Sequence, residues 1–213
     1  MLARLSALRL SLLSSVPYLS QQTHQTPNQL ARSMATLHTG ATETATFASG
    51  CFWGTEHIFL KKYPPAEGKG ILSTRVGYTG GRDDAENPSY KQVCTGATGH
   101  AEAVRIEFDP SKLSYAELVE YFYRTHDPTA VNRQGPDVGT QYRSAIFYHS
   151  PEQKSIAEQV TQDVQKQHFD RIGKKIATSI EPAKKWYDAE DYHQEYLFNN
   201  PTGYQCPTHR EHW

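Results

Sequence analysis

The five residues Gly50-Cys51-Phe52-Trp53-Gly54 constrain this chain more than any others. They follow a β-like run, Thr44 to Ala48, and open a helix-like run from about Phe52 to Lys62 that ends at Pro64-Pro65. Strand, glycine, cysteine, helix is an order that sets Cys51 in the first turn of a helix. There the unpaired backbone N–H groups and the positive dipole end favour an anion, which predicts a lowered thiol pKa. Phe52 and Trp53 suit a solvated turn poorly and predict an apolar wall beside the sulfur. Two readings stand side by side: a buried structural cysteine among core aromatics, and a reactive thiol whose flanking glycines admit close neighbours.

The rest of the chain narrows the choice. With 213 residues there is room for one sizeable core plus extensions. A formal net charge of −1 argues against nucleic-acid binding spread over the surface, and no apolar run approaches a membrane span. Three cysteines do not make a disulfide framework, so a reducing compartment is expected and any disulfide is transient. Residues 1–40 stand apart. No acidic residue precedes Glu43, while Arg4, Arg9 and Arg32 lie among many Ser, Thr, Gln and Leu. That is the composition of an organelle transit peptide; a secretory signal is the alternative, but Ser11, Ser14, Ser15 and Pro17 interrupt its apolar region. Without that segment, 19 of the 22 basic residues face all 23 acidic ones.

From residue 41 the pattern predicts one domain. Ile71 to Tyr78 reads as a strand with Leu72, Thr74, Val76 and Tyr78 on one face, and Arg82 to Gly99 reads as an irregular loop. The strand Ala101 to Asp109 puts Val104, Ile106 and Phe108 on one face, and period-two spacing adds Glu102 to that row. A carboxyl there is paired, or is a weak acid kept protonated; the other reading is a wet side chain at the strand end. Ser114-x-x-Glu117 is a capping box opening a helix to about Arg124. A long loop from His126 to Gln141 precedes a strand, Tyr142 to Tyr148, and Ser150-Pro151 starts a long helix. Ile176, Thr178 and Ile180 mark a last strand, and from about 199 the chain reads as a mobile coil tail. Strands and helices without a regular βαβ rhythm predict an α+β domain with a mixed sheet. A zinc-binding Cys/His module needs clustered ligands, and the three cysteines are far apart; a different thiol enzyme needs an orienting histidine, for which no context stands out. A redox thiol pair, Cys51 with Cys206 in the tail, fits best.

At this point the chain resembles the A-type peptide-methionine sulfoxide reductases. The matching stretches run in order: Gly50 to Gly54 with Glu56, Gly77-Tyr78-Thr79-Gly80-Gly81, Thr98-Gly99-His100-Ala101-Glu102, Asn132 to Ser144, Ala189 to Gln194, and Gly203-Tyr204-Gln205-Cys206. The resemblance implies a two-layer α/β plait, ferredoxin-like, and thiol-dependent reduction of the S epimer of free and protein-bound methionine sulfoxide. It implies that Cys51 attacks the sulfoxide sulfur and Glu102 protonates the oxygen. Tyr78 and Tyr142 would hydrogen-bond that oxygen, Phe52 and Trp53 would receive the methyl group, and Asp137 would order the site. Cys206 would resolve Cys51 in a single disulfide step, with thioredoxin as reductant and no metal or bound cofactor. Cys94 has no role in this scheme and is expected to pack structurally. A monomer is expected. A reporter fused behind residues 1–40 should reach mitochondria, and a chain begun at Met34 should stay cytoplasmic; fluorescence imaging that finds the first reporter secreted would overturn this.

Overall fold

The structure, a computed structural model, describes residues 41–213; the targeting segment and the Met34 start expected from the sequence lie outside the described residues. Strand β1 (Glu43–Ser49) runs into the Gly50-Cys51 turn and helix α1 (Phe52–Lys62). Strands β2 (Ile71–Thr79) and β3 (Ala101–Phe108) follow, with a short helix α2 (Tyr90–Cys94) between them. Helix α3 (Tyr115–Arg124) leads to a two-stranded ribbon, β4 (Arg133–Gln134) and β5 (Asp137–Val138), and then to β6 (Ser144–Tyr148). Helix α4 (Pro151–Val164), the short strands β7 (Ser179–Pro182) and β8 (Tyr187–Asp188), and helix α5 (Tyr196–Asn199) complete the order.

The six-stranded sheet is ordered β7-β6-β1-β3-β2-β8. Its four central strands are mutually antiparallel. Taken in chain order they lie fourth, first, third, second, the arrangement of a ferredoxin-like plait. β7 adds in parallel on β6, and β8 antiparallel on β2. Helices cover one face, where Phe47, Val104, Ile106 and Phe108 meet Phe59 of α1 and Leu118 and Phe122 of α3 in one buried cluster. The opposite face is lined by Ala48, Ala101, Ala103 and Ala145 with one large residue, Phe147, and Ala183 and Trp186 pack against it. Side chains this small let an irregular segment cover a sheet that a helix does not.

Local chemistry sets the element ends. Ser114 Oγ accepts from the Glu117 N–H, and Ser150 Oγ from the Gln153 N–H, with Pro151 in the first helical turn. A third serine, Ser89, forms a reciprocal capping box with Gln92 and opens α2 inside the stretch that reads from sequence as a loop. Strand β2 also departs from its simple alternation. Ile71 pairs with Phe108 and Ser73 with Glu107, so Leu72 is an extra, bulged residue. Ile71 is therefore buried and Leu72 is 47% exposed, while Val76 and Tyr78 keep the predicted inward face.

These positions separate by mutation. Phe47 is fully buried between Phe59 and Phe122, at centroid distances of 5.6 and 5.2 Å. Phe47→Ala should cost about 3–5 kcal/mol in urea unfolding. Leu72→Ala should stay near ~0.5 kcal/mol, as for a surface site; a core-sized loss at Leu72 would mean that the bulge is absent.

Candidate active site

Cys51 is the N-cap of α1, one residue before its first turn. Of the orphan N–H groups at that helix start, the Phe52 N–H donates to Glu102 Oε2 at 3.1 Å, and those of Trp53 and Gly54 act on the sulfur and lower its pKa. The thiol pKa is nonetheless raised well above its ordinary value, first by burial and then by the Glu102 charge. The lowered pKa expected from the helix start is thus corrected. Cys51 is 8% exposed, and desolvation outweighs two backbone donors.

Glu102 is where the strand pattern puts it, on the core row and only 1% exposed, so the wet alternative is gone. In the β2–β3 register it lies opposite Tyr78. Burial pushes its pKa up to about 8 against the pull of the Phe52 N–H, and the Asp137 charge adds to the rise. At neutral pH it is a protonated acid beside a thiol.

Aromatic rings wall the site. Phe52 is buried, 5.9 Å from the Tyr78 ring and 5.1 Å from that of His193. Trp53 stacks on Tyr196 at 3.7 Å and donates its indole N–H to His193 Nδ1 at 3.0 Å, which leaves the His193 proton on Nε2. Tyr78 donates its hydroxyl to Glu190 Oε2 at 2.9 Å, and Glu190 Oε1 accepts the Tyr90 N–H at 3.1 Å. Burial pushes Glu190 up, but these donors hold its pKa below the usual value. Glu190 and His193 sit in the Ala189 to Gln194 stretch, which looked significant only as a block. Tyr142 is in a 3-10 turn just before β6, not on the strand as its spacing suggested. The pKa of its half-buried hydroxyl is raised, first by burial and then by the charges of Glu102, Cys94, Cys51 and Asp137. Asp137, on the ribbon, accepts the Tyr204 hydroxyl on both oxygens at 3.0 Å.

The tail has few regular elements, as expected, but it is packed. Cys206 is 1% exposed, with Sγ 3.4 Å from the Gln134 carbonyl and 3.1 Å from Thr208 Oγ1. Gln134 is also the residue against which Gly50 lies. A Cβ at position 50 would fall 2.7 Å from its side chain, and φ is +100° there, so glycine is required twice over. Gly50, the neighbour of Cys51, and Cys206 therefore both meet one buried glutamine. Cys94, expected to be packed, is exposed at the end of α2, and its thiol is raised by burial and then by the Glu102 and Glu190 charges, against a Tyr90 hydrogen bond. It lies at the edge of the site. No group of three or more His, Cys, Asp or Glu among the described residues could hold a metal ion, and no described helix is long and apolar enough to cross a membrane.

Comparison with known proteins fits this geometry. The peptide methionine sulfoxide reductase family profile matches residues 43–212. The "Probable peptide methionine sulfoxide reductase" of Schizosaccharomyces pombe is 53% identical over 171 residues, covering 80% of this chain and 97% of its own. The peptide methionine sulfoxide reductase MsrA of Methanothermobacter thermautotrophicus is 52% identical, over 75% and 88%. The crystal structure of reduced Mxr1 from Saccharomyces cerevisiae superposes with a TM-score of 0.73 at 44% identity, over 80% of this chain and 92% of that one. Mxr1 in complex with Trx2 gives 0.52 at 31% identity, over 80% and 89%. With nearly the whole described domain matched, and with the Cys51 turn bonded to the buried Glu102 beside the aromatic wall, the chain belongs to the A-type peptide methionine sulfoxide reductase family.

Proposed function

We propose that this chain reduces the S epimer of methionine sulfoxide, free and in oxidised proteins, with Cys51 as nucleophile and Glu102 as proton donor. The observation that carries this is a carboxyl group with a pKa of about 8, fixed to the N–H of the residue after the cysteine. A sulfoxide is neutral, and its sulfur becomes electrophilic only when the oxygen takes a proton. Glu102 supplies that proton and Cys51 sulfur bonds the sulfoxide sulfur; the hydroxyl then passes to Cys51 sulfur as the new S–S bond and the substrate S–O bond break, and methionine leaves. The thiol proton returns to the Glu102 carboxylate, so Cys51 becomes a sulfenic acid with no net proton taken up. Developing thiolate charge is met by the Trp53 and Gly54 N–H groups.

Phe52 and Trp53 offer the substrate methyl group its apolar wall. Tyr142 hydrogen-bonds the oxygen. Tyr78, whose proton is already given to Glu190, offers a lone pair in this arrangement and donates only if its hydroxyl turns. Asp137 orders the ribbon beside them. Cys206 then condenses with the sulfenic acid, releasing water and forming a Cys51–Cys206 disulfide. A thioredoxin reduces it, a reading supported by the Mxr1–Trx2 complex. We also propose a mitochondrial form from Met1 and a cytoplasmic form from Met34, on the composition of residues 1–40.

Single-turnover measurements test the roles. Cys51→Ser should abolish methionine formation with the fold intact, and Cys206→Ser should retain about one turnover while losing thioredoxin-supported cycling. Glu102→Gln should slow methionine formation on the order of 10²–10⁴-fold. In wild type that step should fall as pH rises through about 8, and the variant should lack this inflection. An unchanged rate in Glu102→Gln would sink the acid role.

Stability carries the same signature. The folded pKa of Glu102 is about 8 against an ordinary 4.5, so between those values the unfolded chain has released a proton that the native state keeps. Stability from this group is full below about pH 4.5 and is lost as pH rises through about 8. The melting temperature of Glu102→Gln relative to wild type should therefore climb across that window; a constant difference would mean an ordinary carboxylate.

A further inference from the structure

Beyond the residues given roles above, one buried polar side chain contacts both the Cys51 turn and the tail. His209 is 4% exposed, and its Nε2 lies 2.7 Å from the Ser49 carbonyl, two residues before Cys51. A carbonyl only accepts, so Nε2 carries the proton and Nδ1 is a bare lone pair. That lone pair is buried with no partner among the described residues. The ring lies over Gly54, where a Cβ would collide with Nδ1, and 3.6 Å from the position a Cβ would take on Gly50. Both glycines that bracket Cys51 are therefore part of one seat. Gly54 is in ordinary helix and needs no special backbone conformation; what requires glycine there is the imidazole.

The seat is tied closely to Cys206. The His209 N–H bonds the Cys206 carbonyl at 3.0 Å, closing a tight turn with the thiol at its start. Further on, the His212 N–H bonds the Arg124 carbonyl at 2.9 Å, and Trp213 stacks on His168 at 4.0 Å. Those outer contacts hold the end of the tail, whereas His209 reaches the Cys51 turn itself. A disulfide forms only when two Cβ atoms come within about 3.5–4.5 Å in a narrow range of torsions. Cys51 is fixed on its turn, so the irregular segment that carries Cys206 has to be indexed to it.

We propose that His209 is the positioning residue for this step: seated on the Gly50–Gly54 turn, it holds Cys206 in reach of Cys51. The inference rests on the Cys51–Cys206 reading above. One hydrogen bond made and one buried lone pair left bare give a seat that locates the tail without locking it, as a thiol that must first close on Cys51 and then meet an external reductant requires.

The test compares wild type, His209→Ala and His209→Gln, whose amide can still donate to Ser49. In the reduced enzymes, the rate at which N-ethylmaleimide labels Cys206 is read by peptide mapping. After one equivalent of methionine sulfoxide, methionine formation and Cys51–Cys206 disulfide formation are timed separately. In His209→Ala, Cys206 labelling should rise on the order of 10-fold, the worth of one buried hydrogen bond. Disulfide formation should slow by a similar factor beyond any change in methionine formation. His209→Gln should recover part of both. A disulfide rate equal to wild type, or one that falls only in step with methionine formation, overturns the proposal. If wild type itself forms methionine but no Cys51–Cys206 link, the resolving role of Cys206 fails and the proposal with it. The labelling rates then still report whether His209 shields that thiol, so the two failures are told apart.

Discussion

The site depends on one hydrogen bond, from the Phe52 N–H to Glu102 Oε2. It joins the first turn of α1 to the middle of the sheet, and so fixes the Cys51 turn against β3 rather than leaving it as a free connection. The bond exists only in one strand register. Glu102 lies opposite Tyr78 because β2 and β3 are paired through Thr79–Ala101. A slip of one residue would send Glu102 to the alanine face and Ala101 or Ala103 to the catalytic one. The aromatic cluster around Phe47, Phe59 and Phe122 makes that slip costly, since the same register buries all the large side chains. Core packing far from the sulfur is thus what keeps an acid beside it.

How much of this was legible from the sequence follows from how local each feature is. Glu102 was visible because strand periodicity is a local signal and three apolar neighbours define its face. The starts of α3 and α4 were visible because their serine caps are made within four residues, and the bounds of α1 because the Gly50-Cys51 turn and Pro64-Pro65 bracket it. The Leu72 bulge was hidden, because an extra residue changes nothing in composition, only in pairing. Tyr142 was misplaced by alternation that runs one turn beyond the strand. Glu190, His193 and His209 come to the site from segments a hundred residues or more away in sequence, so only the folded chain reveals their partners.

The order of the tail and the thiol pKa are both set by tertiary packing. A glycine- and proline-bearing segment without apolar periodicity reads as mobile, since periodicity detects helices and strands and not fitted coil. Here its docking is by shape and single hydrogen bonds: Cys206 against the Gln134 carbonyl, Tyr204 on Asp137, His209 over Gly54. Cys51 is buried too, and that burial reverses the pKa direction that the helix terminus alone would give. Local electrostatics was read correctly, as the Trp53 and Gly54 N–H groups do lower the value. The desolvation that overrides them is a tertiary quantity.

A high-pKa nucleophile is consistent with this chemistry once protons are counted. A thiol enzyme that attacks a charged or already electrophilic centre gains from a preformed thiolate. A sulfoxide gains more from protonation of its oxygen, and a preformed thiolate beside Glu102 would be a second negative charge in a desolvated pocket as soon as the acid gave up its proton. Keeping both groups neutral at rest avoids that pair. In the proposed reaction the proton that leaves Glu102 for oxygen is replaced by the one leaving sulfur, so charge is separated only during the transfer. On that proposal the two raised pKa values are one device: the same burial that keeps Glu102 an acid at neutral pH keeps Cys51 a thiol until a substrate draws the proton across.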